Sequence, residues 1–417
     1  MIPAMGYVDF MRANAKWLAA GVILTFSSSY GQTFFISIFA GEIRAEFGLS
    51  HGAWGGIYTL GTSLSAATMI WAGGLTDRFR SRVLGPVFLC LLSAACVFMA
   101  LNTAAWALIL VIFCLRFTGQ GMTSHIAVVS MARWFSAARG KALTVAGFGF
   151  PLGQAILPLV FVALMTLIDW RSLWLIAAAL PLLAIPFLIW LLRVERSPRN
   201  PELAEHSKGV MDRHWSRADM LKDWNFWLVL PAVLGLPTFG TALFFQQVHF
   251  VETKGWELVD FVALIPVFTG VTILANVLGG SLVDRLGAFR MLPLFQLPFA
   301  VTFLIFASGQ SLISAAAAFV FFGLTQGMAT PVIGSFWAEF YGTRHLGAIK
   351  SIGAAVMVFG TAIGPGLTGY LIDFGIDFVD QMYAIAAYIV LSSMLAALAM
   401  RRARRLTLAA QINVIRP

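Results

Sequence analysis

The sequence predicts an all-α membrane protein: twelve transmembrane helices forming two pseudo-symmetric six-helix bundles. Three observations carry that expectation. Of the 417 residues, 59% are hydrophobic and 11% are charged, with a mean hydropathy of +0.84. A soluble domain carries about 25% charged residues, so these few would not cover the surface of a soluble globule. The apolar residues fall in long continuous runs, not in the alternating pattern of a transmembrane β-barrel. Short motifs recur half a chain length apart, as in an internally duplicated fold.

A bilayer-spanning helix needs about 20 apolar residues. The first run, at 17–40, follows Arg12 and Lys16. A signal peptide has an apolar core of about 7–15 residues. Trp17–Phe39 is longer and is read as an uncleaved first helix. Five more runs fall at 52–75, 83–101, 105–132, 141–167 and 171–192. Gly147, Gly149, Phe150-Pro151 and Gly153 interrupt the fifth, permitting close packing and bending. A charged stretch then breaks the series. Six more runs follow at 225–250, 258–283, 289–308, 311–338, 346–372 and 379–400. The organisation expected is an N-terminal bundle at 1–192, a cytoplasmic linker at 193–224, a C-terminal bundle at 225–400 and a cytoplasmic tail at 401–417.

Loop charges test the map. With the N-terminus inside, 24 of the 28 Lys and Arg residues fall in inner segments. Only Arg44, Arg171 and Lys254 fall outside, and Arg116 lies within a span. That asymmetry puts both termini in the cytoplasm of an inner (plasma) membrane protein. The net charge of +9 is thereby a topology signal and not a sign of nucleic-acid binding. Cys90, Cys96 and Cys114 all sit inside apolar runs, with no metal-ligand spacing. They are read as inert thiols. The chain has no Walker loop, zinc spacing or GxSxG, so neither an enzyme nor a cofactor or metal is expected.

The repeat is specific. Gly73-Gly74-Leu75-Thr76-Asp77-Arg78 recurs as Gly279-Gly280-Ser281-Leu282-Val283-Asp284-Arg285, with Asp77 and Asp284 offset by 207. Gln120-Gly121-Met122 recurs as Gln326-Gly327-Met328 at offset 206, and Gly140 and Pro158 match Gly347 and Pro365 at 207. The chain here resembles the major facilitator superfamily over its whole length. That family's Gly-x-x-x-Asp-Arg signature follows the second helix of each half. Its fourth-helix arginine motif is similar to Arg116-Phe117-Thr118-Gly119-Gln120-Gly121. Tyr30-Gly31-Gln32-Thr33-Phe34-Phe35, Glu46-Phe47-Gly48-Leu49-Ser50 and Arg133-Trp134-Phe135 with Arg139-Gly140-Lys141-Ala142-Leu143 resemble the monocarboxylate-porter branch. One position departs: that branch often carries an eighth-helix arginine, and residues 258–283 hold only Asp260 as a charge.

The resemblance implies that Asp77 and Asp284 are gating residues that latch the two halves. An acid at that place can also cap a helix N-terminus. Arg78, Arg82, Arg285 and Arg290 would pair with acids or lipid phosphates, or serve positive-inside topology alone. Arg116 stands about ten residues into its helix, roughly 15 Å deep, where a charge is expensive. It is read as a cavity cation for an anionic substrate, against a structural arginine bonded to a neighbour's carbonyls. On an α-helix Gln120 and Thr123 would share its face. His125 falls on the opposite side, packed against another helix. Gln32, Tyr58, Gln154 and Asn276 are substrate-contact candidates, since buried amides need partners, although small polar residues also join helices. His249 is either a proton-carrying residue or a hydrogen-bonded residue at the mouth. No acid lies deep in a span, so a proton would travel on histidine or on the substrate.

The function expected is alternating-access transport of a small organic anion of carboxylate type, coupled to a proton. The protein would work as a monomer in the lipid bilayer, without nucleic acid. The alternatives are transport or export of a neutral or amphipathic metabolite or drug, and a non-transporting membrane sensor.

Overall fold

All twelve expected segments are helical in the computed structural model, which describes residues 7–135, 138–194, 209–210, 213–342 and 344–415. At 7, 8, 77, 139, 346–348, 351 and 406–415 it describes the backbone alone. Most of the expected linker and the side chain of Asp77 therefore lie outside the described residues. The helices are α1, broken into Ala15–Gly31 and Thr33–Phe47; α2, His51–Ala72; α3, Ser81–Leu101; α4, Ala105–Trp134; α5, Gly140–Met165; and α6, Trp170–Leu191. They continue with α7, Trp224–Phe245; α8, Leu258–Leu286; α9, Leu297–Ser308; α10, Leu312–Tyr341; α11, Leu346–Asp373; and α12, Phe378–Ile415.

Nine of these are long and apolar enough to cross a membrane, among the described residues, and α1 makes a tenth if its halves form one span. The other two have local reasons for falling short. Glycines and hydroxyls dilute α2. Turns at 292–296 separate the short helix Ala288–Met291 from α9. The last helix runs on past residue 400, so the expected tail begins as its continuation.

Side-chain caps set several starts. Ser50 accepts from the Ala53 amide at 3.1 Å, Asp169 from Ser172 at 2.9 Å and Asp223 from Asn225 at 3.1 Å. Each cap satisfies one of the amides left without a helical partner. The chain divides into two units, Met1–Leu203 and Ala204–Pro417. In the first, α3 packs on α6, α2 on α4 and α1 on α5. In the second, α8 packs on α10, α7 on α11 and α12, and α9 on α10 and α12. The loops after α2 and α8 mark the motif end of each unit, and the opposite end is the far end.

The second half of α1 is the best-buried stretch of unit one: Thr33 to Ala40 are all buried. Phe35, Phe39, Phe161 and Trp174 pack there edge-on or tilted, with ring centroids 4.9–6.5 Å apart. Aromatic rings favour such geometry because their positive edges meet negative faces.

Candidate functional site

The site is built on the break in α1. Gln32 is extended, at φ −90° and ψ 153°, and the two halves meet at 48°. The Phe35 amide turns to the Gln32 carbonyl at 3.2 Å instead of continuing the helical bond to Gly31. The Gly31 carbonyl is left at the negative end of the first half-helix. Arg116 takes it: Nη1 donates to Gly31 O at 3.2 Å and to Thr33 Oγ1 at 3.3 Å. Thr33 shares a short hydrogen bond with the Tyr58 hydroxyl, and the guanidinium carbon lies 5.4 Å from the Tyr58 ring centre.

Bare backbone brings α1 and α4 close enough for this. A Cβ on Gly31 would stand 2.1 Å from the Leu115 carbonyl oxygen, and one on Gly119 would stand 2.8 Å from the Gly31 backbone. On the α4 side, Arg116–Thr123 forms a widened π-helical turn. Such turns recur at functional sites.

Arg116 is 2% exposed. Its partners are a carbonyl, a hydroxyl and a ring, none of them negatively charged. Its Nε–H is buried without a hydrogen-bond partner, as are the hydroxyls of Ser29 and Thr62. Ser29 lies two residues before Gly31, and Thr62 one turn beyond Tyr58. Among the described residues, then, Arg116 has no negatively charged partner.

The other candidates scatter. Gln32 is buried at the break itself and Gln154 is buried on α5. Gln120 is half-buried, and the Thr123 hydroxyl turns back to the Thr118 carbonyl at 2.6 Å. The five-residue turn breaks the i, i+4, i+7 register that α-helical spacing predicted. Asn276 joins α8 to α10 through the Gly327 carbonyl at 3.2 Å. His125 faces the motif end of α2, where a Cβ on Gly73 would lie 3.5 Å from its Nε2. His249 sits on Gln247–Lys254, the helix that prolongs α7, with Nε2 2.9 Å from Asp377 Oδ2. Asn276 and His249 belong to unit two and are not part of the Arg116 cluster.

At the motif ends, Arg78, Arg82, Asp284, Arg285 and Arg290 are exposed. The acid that caps the loop after α8 within its own unit is Glu339. Its carboxylate accepts from the Ala288 amide at 3.0 and 3.2 Å. In unit one, Arg133 donates to the Thr76 carbonyl of the loop after α2. Arg133 and Glu339 are 206 apart, whereas their partners Thr76 and Ala288 are 212 apart, so the two residues hold different points of their motif ends.

Sequence reasoning missed Thr33, Gly31 and Glu339 as contacts. The helix-one motif quoted Gly31 and Thr33, but nothing in it marks where the helix breaks. It also missed the folded segment ahead of α7. Val210, Trp215 and Met220 are buried there, and the Trp215 amide donates to the Tyr341 carbonyl at 3.3 Å. Arg213 lies over the Trp215 ring at 4.1 Å and pairs with Asp219 at 3.2 Å. Hydrogen bonds from Ser216, then Arg213, hold the Asp219 carboxyl below the usual range. Burial raises that of Asp223, against hydrogen bonds from Asn225 and the charges of Arg402 and Arg213.

Comparison with known proteins agrees with this architecture. Residues 21–295 and 263–411 match the family model described as Major Facilitator Superfamily. An uncharacterized 38 kDa protein in the 23S RNA operon of Thermoproteus tenax is 25% identical over 392 residues, which is 93% of this chain and 96% of that one. Among solved structures, a bacterial homolog of the human lysosomal transporter Spinster is similar in its inward-facing, unoccupied form, with a TM-score of 0.70. Identity is 17%, over 95% of this chain and 98% of that one. Its inward-facing, occupied form gives 0.69 at 17% identity, over 96% and 98%. At that identity the likeness is one of fold.

Proposed function

This chain belongs to the Major Facilitator Superfamily and is a multi-pass membrane transporter of that kind, and we propose that its cargo is a small organic anion of carboxylate type. One observation carries the reading: Arg116 is buried, positively charged and surrounded only by neutral partners. A buried charge without a counter-charge is costly. A carboxylate would supply the missing charge and accept from Nε, giving a charge-assisted bond.

In this reading Gly31 and Thr33 hold the guanidinium when no cargo is present, and Tyr58, Gln32, Gln120 and Gln154 complete the neighbourhood. Asn276 and His249 are the candidates for cargo contact within the second unit. The resemblance of the first helix and of the segment between the fourth and fifth helices to monocarboxylate porters supports a carboxylate-type cargo, while the absence of an arginine at 258–283 sets this chain apart from that branch. Since no acid lies deep in a span, the proton would accompany the cargo or ride on His249. Asp77, Asp284 and the arginines beside them would gate. The charge asymmetry of the loops supports an inner (plasma) membrane location with both termini cytoplasmic.

A thermal-shift panel of small carboxylates and neutral analogues on wild type, Arg116→Ala and Thr33→Val tests the cargo class. Wild type should be stabilised by carboxylates only. Arg116→Ala should lose about 2–5 kcal/mol of binding, or thirtyfold and more in affinity. Carboxylates that stabilise Arg116→Ala as well as wild type would overturn the assignment.

A further inference from the structure

We infer that Arg171 and Lys254 are pseudo-equivalent positioning residues, each the centre of a clasp that ties three helices together at the far end of its unit. In unit one, Arg171 opens α6. It donates to the Ala100 carbonyl at 2.5 Å and to the Asn102 carbonyl at 2.6 Å, the last acceptors of α3. It also pairs with Glu46, from the end of α1, which accepts from the Trp170 indole at 2.9 Å as well. Helices α1, α3 and α6 meet on one guanidinium.

In unit two, Lys254 ends the helix that prolongs α7. Its Nζ donates to the Ala307 carbonyl at 2.8 Å and to the Gly309 carbonyl at 2.9 Å, at the end of α9. Asp377, just ahead of α12, takes His249 Nε2 at 2.9 Å and the Thr253 hydroxyl at 3.3 Å. Helices α7, α9 and α12 meet around one ammonium and one carboxylate.

The repeat offset makes these the same device. Ala100 and Asn102 correspond to Ala307 and Gly309 at 207. Glu46 and Trp170, which touch, correspond at 207 to Thr253 and Asp377, which also touch. Yet the chemistry is exchanged. The acid stands on α1 in the first unit and beside α12 in the second. The cation stands on α6 in the first and after α7 in the second. Position 47, equivalent to Lys254, is phenylalanine, and so is position 378, equivalent to Arg171. The Phe47 ring centre lies 5.9 Å from the Arg171 guanidinium carbon, so a cation at either position is within reach of the same carbonyls. The units share the contact and not the residues, so the contact is what the fold retains. Its physical cause is the row of C-terminal carbonyls, which have no amide partner and carry the negative end of the helix dipole.

The exchange supplies its own test. Amide hydrogen exchange is followed on the full-length protein in lipid nanodiscs, at 97–104 and 304–311, with 81–86 as the motif-end control. Arg171→Phe should speed exchange at 97–104 about tenfold and leave 81–86 unchanged. Arg171→Phe with Phe47→Lys transplants the unit-two arrangement and should recover at least half of the protection. Lys254→Phe, and Lys254→Phe with Phe378→Arg, should behave likewise at 304–311. Glu46→Gln, which leaves the carbonyl contacts in place, gives a milder variant should Arg171→Phe fold poorly, and should speed exchange at 97–104 about threefold. Double variants no better protected than the single ones would overturn the shared clasp. So would faster exchange spread evenly to the control segment.

Discussion

At the scale of single residues, the Arg116 site stands on two glycines as much as on the arginine. Gly31 and Gly119 let two helix backbones touch, and a methyl group on either would meet backbone atoms that cannot step aside. Forcing atoms into a packed contact costs about 1–3 kcal/mol or more. Gly31→Ala should therefore lower the melting temperature by several degrees. Gly270→Ala, on α8 with nothing within 4 Å of the added carbon, should be neutral or stabilising by about 0.5–1 kcal/mol, the helix preference of alanine over glycine. Differential scanning fluorimetry of the two variants decides it: a Gly31→Ala variant that melts no lower than Gly270→Ala would show that Gly31 is not a tight contact. Arg116 itself was legible as the one charge that loop topology did not explain. Its partner was not, because a carbonyl is common to every residue and only the break at Gln32 sets that one free.

At the scale of elements, the segment ahead of α7 behaves as part of unit two. A charged linker was the reading of its composition. Composition hides the two large apolar anchors, Trp215 and Met220, spaced among Arg213, Arg217, Asp219 and Lys222. Asp223 gives this element a pH signature. Burial raises its carboxyl above the unfolded value of about 3.9. An acid raised in the folded state contributes its full share of stability below that unfolded value, and loses it as pH rises through the folded one. Asp223→Asn removes the charge and keeps an oxygen for the Asn225 amide, as Asn and Asp cap equally well. The variant should melt higher than wild type at pH 7, by about 2 °C, and at the same temperature as wild type at pH 3. An equal gain at both values would mean that the charge has nothing to do with it. Trp215→Ala removes the anchor itself, and limited proteolysis should then cut ahead of Asp223 where wild type resists. The widened turn of α4 is the element least visible in sequence. Apolar spacing there is helical, and the change from four-residue to five-residue hydrogen-bond spacing falls where Gly119 meets Gly31 of α1.

At the scale of the whole chain, the duplication was legible and its divergence was not. Apolar runs located the twelve helical segments and offsets of 206 and 207 paired the halves, because helix ends and glycine contacts are constrained by backbone geometry; the second motif, though, closes α8, with Asp284 and Arg285 in its last turn. The offsets did not foretell that Arg133 and Glu339, of opposite charge, would each hold backbone at a motif end, or that phenylalanine and a cation would trade places at the far ends. Side chains can exchange roles so long as a carbonyl or amide is satisfied. Loop charge is also a whole-chain property, and it predicts the side on which each end lies. Each basic residue near a span resists translocation, so a majority of 24 to three predicts that the motif ends lie inside. With Cys90, Cys96 and Cys114 replaced by alanine, a single cysteine at Thr103 or Gln310, both exposed beyond the far ends of α3 and α9, should react with a membrane-impermeant maleimide in intact cells. A cysteine at Arg80 or Arg290, exposed at the motif ends, should react only after the membrane is opened. The reverse pattern would invert the topology, and with it the side from which Arg171 and Lys254 are reached.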